Sequence, residues 1–177
     1  MQPLVRSLGV TSALDIGANA GFFSIELGLL GIPTVALEAE PPAVRTALLA
    51  VERSGVKGVG VLALEMDPNT VRLLPSTDCT LCLSIWHHLV RTHGLEAATG
   101  MLRTVWDRTA KVMFFDTGES EMPASFNLPD MTPDARAWLS RYLESVCEPS
   151  RIEHVGLHAA FDADRKPCMR NLFAVIR

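Results

Sequence analysis

Hydrophobic positions along this chain alternate between two patterns. Short apolar runs typical of buried strands are separated by longer amphipathic segments typical of helices. The pattern predicts strands at about 12–16, 34–38, 58–63, 80–85 and 111–116, and helices at about 21–30, 43–54, 70–74, 95–109 and 132–146. Thr132 is expected to cap the last helix, with Pro133 in its first turn. This alternation is typical of a mainly parallel sheet with helices on both faces.

The end of the chain breaks the alternation. Two further strands, at about 152–160 and 170–176, are joined only by the turn-like segment 162–167. With no helix between them, they are expected to form an antiparallel hairpin at one edge of the sheet. We therefore predict an α/β fold with a doubly wound, seven-stranded sheet that is mainly parallel and carries a C-terminal antiparallel hairpin.

Size and composition narrow the class of protein. A chain of 177 residues with 48% hydrophobic residues is expected to form one domain, 1–177, with a sizeable core. No run of 18 apolar residues occurs, so no membrane span is expected. The chain has 16 Lys and Arg residues and 20 Asp and Glu residues, and the basic residues are not clustered in the sequence. A nucleic-acid partner is therefore not expected.

The cysteines favour a reducing environment. Cys79 and Cys82 form a C-x-x-C pair inside an apolar strand-like run, where they point to opposite faces, so buried core residues are the favoured interpretation. A redox pair or a metal site is the alternative, but zinc needs two more close ligands and no second pair exists. We expect no metal. Without a recognisable secretory signal at the start of the sequence, a cytoplasmic location is the simplest expectation.

The segment Asp15-Ile-Gly-Ala-Asn-Ala-Gly21 carries the main functional signal. A strand ends at an acid and a glycine-containing loop leads into a helix, as in nucleotide-binding α/β folds. The spacing differs from the G-x-G-x-x-G of dinucleotide sites, and an acid there favours a cationic amino acid or a hydroxyl over a pyrophosphate. Glu38 ends the next strand, 21 residues after Gly17, near the offset at which an acid binds ribose hydroxyls.

These residues resemble the class I S-adenosylmethionine-dependent methyltransferases. Asp15–Gly21 is similar to their first motif, Leu37-Glu38 to their second, and Cys79-Thr-Leu-Cys-Leu-Ser-Ile-Trp-His-His88 to their fourth. Asn19 stands where most members have glycine, as in members that methylate sugar or polyketide hydroxyls. The resemblance covers nearly the whole chain. It implies a Rossmann-like sheet of seven strands with a terminal hairpin, and S-adenosyl-L-methionine as cofactor.

The resemblance also implies roles for individual residues. The first loop would surround the amino-acid part of the cofactor, Glu38 would accept the ribose hydroxyls, and an acid after the third strand would contact the adenine. The expected cofactor-binding residues are Asp15, Gly17, Asn19, Gly21, Glu38, Ala39, Asp67 and Ser84. For Asp67, a plain turn before Pro68 is an equally good interpretation.

Three residues are candidates for catalysis or substrate binding. His87 and His88 follow the fourth strand, and histidine is the natural base near neutral pH. Glu119 lies in the acidic loop after the fifth strand, which suits a polar substrate. The alternatives are that a histidine serves only for packing and that the loop is an ordinary solvated one. Arg170 and Asn171, placed at the opposite end or the rim of the sheet, are given no role.

The sequence thus predicts a transferase that O-methylates a small or medium polar molecule, such as a natural product or a sugar hydroxyl. The alternatives are an RNA- or protein-directed methyltransferase, and a non-catalytic cofactor-binding partner subunit. A homodimer is left open. Because strand 1 begins within about a dozen residues of Met1, we expect either that the cofactor cover comes from the loop 117–131 or from a second subunit, or that this chain is a trimmed or minimal form.

Overall fold

The computed structural model describes residues 1–177 as seven strands and six α-helices, with short 3-10 turns at Thr70–Leu73 and Ala124–Phe126. The helices are α1 Gln2–Ser7, α2 Phe22–Leu29, α3 Pro41–Ser54, α4 Trp86–His93, α5 Leu95–Asp107 and α6 Ala135–Cys147. The strands are β1 Ala13–Ile16, β2 Thr34–Glu38, β3 Val59–Ala63, β4 Thr77–Leu83, β5 Thr109–Asp116, β6 Arg151–Phe161 and β7 Pro167–Ile176.

The strands form one sheet in the order β3-β2-β1-β4-β5-β7-β6. The pairs among β1 to β5 are parallel, whereas β7 runs antiparallel to both β5 and β6. The predicted seven-stranded α/β sheet with its C-terminal hairpin is therefore confirmed. The order reverses between β1 and β4, so the loops after these strands diverge and leave a crevice at the carboxyl edge of the sheet.

Each face of the sheet carries its own core. The larger core has 24 buried residues and packs α4, α5 and α6 against one face. The smaller has 11 buried residues and includes Val5 of α1 and Leu27 of α2 on the other. Cys82 belongs to the first core and Cys79 to the second, as strand alternation predicts. Both are free thiols, and no cluster of residues suited to a metal ion is present.

The sequence missed two helices and assigned one helix cap wrongly. Helix α1 was not predicted. The residues after β4 form helix α4, with Trp86, Leu89 and Val90 buried along its inner face, and Gly94 separates it from α5. The last helix is capped by Asp134, whose side chain accepts the Ala137 N–H, because Thr132 instead bonds to Asp130.

The β6–β7 hairpin extends past the edge of the parallel strands. Pairing between β5 and β7 stops at Phe115 and Phe173, whereas β6 and β7 stay paired out to Phe161 and Pro167. Because β7 is antiparallel to β5, its first residues lie at the carboxyl end of β5. The hairpin therefore projects over the crevice. None of the helices combines the length and the hydropathy that crossing a membrane requires.

Two helical glycines provide a matched test of packing. A Cβ on Gly28 of α2 would lie 2.5 Å from Val59 Cγ2 and 2.7 Å from Val56 Cγ2, whereas a Cβ on Gly100 of α5 would meet no atom within 4 Å. Overpacking costs about 1–3 kcal/mol and helix propensity returns only about 1 kcal/mol. Gly28→Ala should therefore lower the free energy of unfolding, and Gly100→Ala should raise it by about 0.5–1 kcal/mol.

Urea denaturation of both variants measures this difference. Equal stabilisation by the two substitutions would show that α2 does not pack closely on Val56 and on Val59 at the start of β3.

Candidate active site

A cavity of about 1290 Å³ opens at the carboxyl edge of the sheet, beside the point where the strand order reverses. Its walls come from the loops after β1, β2, β3, β4 and β5, from helix α4 and from the hairpin tip. The structure brings most of the predicted site residues to this cavity: Asp15, Gly17, Asn19, Glu38, Ala39, Ser84, His87 and His88.

The loop after β1 has the backbone conformation that its sequence suggests. Gly17, Asn19 and Gly21 have φ angles of 71°, 50° and 80°, in the left-handed region. Asn is the residue other than glycine that tolerates this region best, so the turn survives without a glycine at position 19. A Cβ on Gly17 would overlap the side chain of Ile85, which explains why a glycine is needed there.

Asp15 is a buried carboxylate on the cavity wall. Its side chain is 3% exposed and accepts a hydrogen bond from Ser24 Oγ at 2.6 Å. Burial raises its pKa from 3.8 to about 6, and the nearby charge of Glu38 adds to the rise. No Lys or Arg pairs with it. A cation placed in the cavity would therefore relieve the cost of ionising this group.

Glu38 joins the first two loops. Its Oε2 accepts the Asn19 N–H at 2.7 Å, and its Oε1 accepts the Ala39 and Glu40 N–H groups at 2.8 and 2.9 Å. A carboxylate has about four acceptor positions, so these bonds leave about one for a ligand hydroxyl. Glu38 thus shapes the cavity and also faces it.

Asp67 and Glu119 lie outside this cavity. Asp67 Oδ1 accepts the Asn69 and Thr70 N–H groups, which lowers its pKa and favours the turn interpretation. The Glu119 carboxylate accepts bonds from Asn171 N and Nδ2 at 2.8 and 3.0 Å, and it borders a separate cavity of about 510 Å³. Neither side chain is brought to the other predicted site residues.

The two neighbouring histidines differ in proton arrangement. His87 is 2% exposed, and its Nδ1 accepts the Gly118 N–H at 2.9 Å. Because a backbone N–H can only donate, Nδ1 carries no proton and the neutral ring holds its proton on Nε2. Burial, reinforced by positive charges nearby, lowers the pKa of His87 to about 3. His87 can therefore donate to a ligand but cannot take up its proton.

His88 has a different environment. It is exposed on α4, its ring is tilted against that of His87 with centroids 4.3 Å apart, and the centre of the Phe126 ring lies 5.7 Å away. Partial desolvation lowers its pKa, and the charges of Arg91 and Arg170 act in the same direction. The ring is thus neutral at physiological pH, and no protein atom forms a hydrogen bond with its ring nitrogens. Of the two histidines, only His88 has the properties of a general base.

A polar network at the cavity floor links Ser84 and Asp116 to the hairpin, a connection that the sequence did not reveal. Asp116, 1% exposed, accepts the Ser84 N–H and Oγ–H at 2.7 and 2.9 Å, and His158 Nε2 of the hairpin lies 2.8 Å from its Oδ2. The His158 contact has an ion-pair distance without the alignment of a full hydrogen bond, and Asp116 raises the pKa of His158.

Arg170 completes this network from β7. It donates to Ser84 Oγ at 3.0 Å and to Glu121 Oε1 at 2.8 Å. The sequence placed Arg170 at the far end or the rim of the sheet, which was wrong because the antiparallel direction of β7 brings its start to the cavity. Cover for the cavity likewise comes from the hairpin tip, which the sequence did not suggest, and from Phe126 of the expected loop.

The strand order, the glycine-containing loop after β1 and the acid at the end of β2 define the fold of the class I S-adenosylmethionine-dependent methyltransferases, as the resemblance implied. Known structures agree with this assignment. A structure of WbdD with the kinase inhibitor LY294002 superposes with a TM-score of 0.76 at 22% identity, over 98% of this chain and 38% of that one. Another WbdD structure is described as a bifunctional kinase-methyltransferase, and it covers 98% and 36%.

The N-terminal domain of EvdMO1, crystallised in the presence of S-adenosylhomocysteine and D-fucose, superposes with a TM-score of 0.67 at 18% identity. The alignment covers 99% of this chain and 81% of that domain. This chain spans less than half the length of WbdD, and identities this low establish a shared fold. No protein-family model and no curated protein sequence matches the chain.

Because Asp15 is buried, the free energy of unfolding should depend on pH. Because folding raises its pKa from 3.8 to about 6, the folded state is favoured at low pH, and this advantage is lost as the pH rises through about 6. The shift corresponds to at most about 3 kcal/mol. Asp15→Asn should therefore stabilise the chain near neutral pH and have little effect below about pH 3, where Asp15 is protonated in both states.

Urea denaturation across this pH range is the measurement, with Asp107→Asn on the exposed face of α5 as control. A loss of stability in Asp15→Asn that is the same at every pH would mean that the bond to Ser24, and not burial of the charge, decides the outcome.

Proposed function

We propose that this chain is an S-adenosylmethionine-dependent methyltransferase that methylates a hydroxyl of a small polar molecule, such as a sugar or a natural product. One observation carries the proposal. A single cavity has the carboxylates of Asp15 and Glu38, neither of which is in an ion pair, at one end and the neutral imidazole of His88 at the other. The fold shared with WbdD and with the EvdMO1 domain supports it.

The carboxylate end suits the cofactor. Asp15 is buried, lacks a cationic partner and would bind the α-amino group, which would lower its pKa again. The remaining acceptor position of Glu38 would take a ribose hydroxyl. Leu64 and Met66 line the same end and offer apolar surface to the adenine. The bound cofactor supplies an activated methyl group on a positively charged sulfur.

The histidine end suits the acceptor. A hydroxyl has too high a pKa to react readily, so a base that removes its proton as the new bond forms accelerates transfer. His88 is neutral and accessible and would take this proton. His87, held by Gly118, would donate its Nε2 proton to a substrate oxygen and fix its position. The cavity walls would hold both reactants in line for the displacement.

Calorimetric titration tests the cofactor class. S-adenosylhomocysteine should bind in the micromolar range and NAD should not, because the loop after β1 lacks the dinucleotide glycine spacing. Transfer of labelled methyl from S-adenosylmethionine to a panel of sugars and phenols then tests the reaction. Absence of S-adenosylhomocysteine binding would refute the proposal.

Glu38 should be required for cofactor affinity. Glu38→Ala removes a hydroxyl acceptor and releases the N–H groups of the first two loops, and each charged hydrogen bond lost costs about 1.5–3 kcal/mol. The dissociation constant for S-adenosylhomocysteine should rise roughly tenfold or more for each such bond. Glu52→Ala, on the exposed face of α3, is the matched control and should bind normally. Unchanged affinity in Glu38→Ala would remove Glu38 from the cofactor site.

His88 should be required for turnover and not for cofactor binding. Loss of a general base lowers turnover by roughly 10²–10⁴-fold, whereas the affinity for S-adenosylhomocysteine should hold in His88→Ala. In the unmodified protein, activity should rise with pH through a pKa below 6.5 as the imidazolium loses its proton, and the variant should lack this rise. Near-normal turnover with the same pH profile would leave His88 with a packing role only.

A further inference from the structure

Charged side chains are unevenly distributed around the cavity. The end formed by β1, β2 and β3 carries Asp15, Glu38, Glu40 and Glu65, none of which pairs with a cation. The opposite end, formed by α4 and the hairpin, carries all three arginines of the cavity wall: Arg91, Arg165 and Arg170. The chain as a whole is acidic, with a net charge of −4, so a general excess of basic residues does not explain this end.

The acids at the arginine end are already bound within the protein. Asp116 is held by Ser84 and approached by His158, and Asp162 Oδ1 accepts the backbone N–H groups of Asp164 and Lys166. Arg170 is also satisfied, through Ser84 and Glu121. Of the three arginines, Arg91 and Arg165 form no ion pair with the protein. The positive charge of Arg91 also reaches the neighbouring histidines, since it lowers the pKa of both His87 and His88.

Arg91 is the better placed of the two. Its guanidinium carbon lies 4.7 Å from the centre of the Phe126 ring, and it makes no ion pair or hydrogen bond. This contact with the buried Phe126 ring places the guanidinium at the cavity wall, and its N–H groups remain free. The planar fork of a guanidinium matches the two oxygens of a carboxylate or a phosphate.

Arg91 also stands one helical turn from the proposed base. His88 and Arg91 are three residues apart on α4, so they are neighbours on the same face of the helix, about 5–6 Å apart at their Cβ atoms. Both rings, that of His88 and that of Phe126, belong to the same wall. A molecule that places a hydroxyl at His88 would place a group one sugar-ring width away at Arg91.

We propose that the acceptor substrate carries an anionic group, a carboxylate or a phosphate, and that Arg91 binds this group while the hydroxyl to be methylated lies at His88. The inference rests on the proposed function and adds a substrate class to it. Sugar acids, sugar phosphates and hydroxy acids have the required pairing of a hydroxyl and an anion at this separation. Neutral sugars do not.

The test compares matched ligands on the same protein. D-Glucuronate, D-glucose 6-phosphate, inorganic phosphate and neutral D-glucose are titrated by calorimetry, with and without saturating S-adenosylhomocysteine. The anionic ligands should bind roughly tenfold or more tightly than D-glucose, because a bidentate charged contact exceeds a neutral one. Comparison of the first two ligands distinguishes a carboxylate from a phosphate.

Variants assign the preference to Arg91. Arg91→Gln should abolish it and Arg91→Lys should keep only part of it, because lysine retains the charge without the fork. Arg53→Gln, on the exposed last turn of α3 outside the cavity, is the control and should behave like the unmodified protein. Circular dichroism confirms that each variant is folded, and S-adenosylhomocysteine affinity should be unchanged in all of them.

The outcomes separate the two proposals. Equal binding of D-glucose and the anions, absence of anion binding in the millimolar range, or an anion preference that survives in Arg91→Gln would each overturn the anionic subsite while S-adenosylhomocysteine still binds. Failure of S-adenosylhomocysteine to bind would instead overturn the methyltransferase proposal, and the titrations without it would still decide whether the arginine end binds anions.

Discussion

The Asp116 carboxylate ties together the elements on which the cavity depends. It sits at the end of β5, takes both donors of Ser84 at the end of β4, and faces His158 on the hairpin. Arg170 reaches the same serine from β7 and continues to Glu121. A buried charge left without these partners would cost several kcal/mol, roughly 3–5 by analogy with broken buried pairs. Hairpin, sheet and the loop after β5 are thereby held in one arrangement.

Much of the architecture follows from the sequence because its signals are local. The alternating pattern of a strand and the periodic pattern of a helix can each be recognised in a short stretch of sequence. The same holds for the first loop, where an acid is followed by residues that adopt left-handed backbone conformations. The seven strands, the hairpin and the shape of the first loop were accordingly predictable. Helix α4 was not, because its short inner face of Trp86, Leu89 and Val90 follows a strand directly and was obscured by the two histidines.

The site was less predictable where distant residues compete for a side chain. Glu119 accepts hydrogen bonds from Asn171, 52 residues later, and no local sequence pattern predicts that contact. Asp67 was an open choice between a ligand contact and a turn, and its bonds to the next backbone N–H groups favour the turn. His158 and Arg170 reach the cavity only because β7 runs antiparallel to β5. This direction places the end of β6 and the start of β7 at the carboxyl edge of the sheet, beside the cavity.

Two features of the cavity oppose stability. Asp15 is buried without a cationic partner, and Asn19 has a left-handed backbone conformation that glycine would adopt more readily. Both are unfavourable for the fold taken alone, and they suit a cationic ligand group and a ligand that approaches the backbone closely. Such features are typical of a binding site, where residues that are unfavourable for folding are retained because they contact a ligand.

The two ends of the cavity come from separate stretches of the chain. The acidic end is built by residues before position 67, and the arginine end by residues from position 84 onward. The sheet joins them, and Ile85 packs against Gly17 where they meet. Substitutions in α4 or in the overhanging hairpin can therefore remodel the arginine end while leaving the bonds of Asp15 and Glu38 intact. The cavity is in this sense modular, because its two halves can be redesigned one at a time.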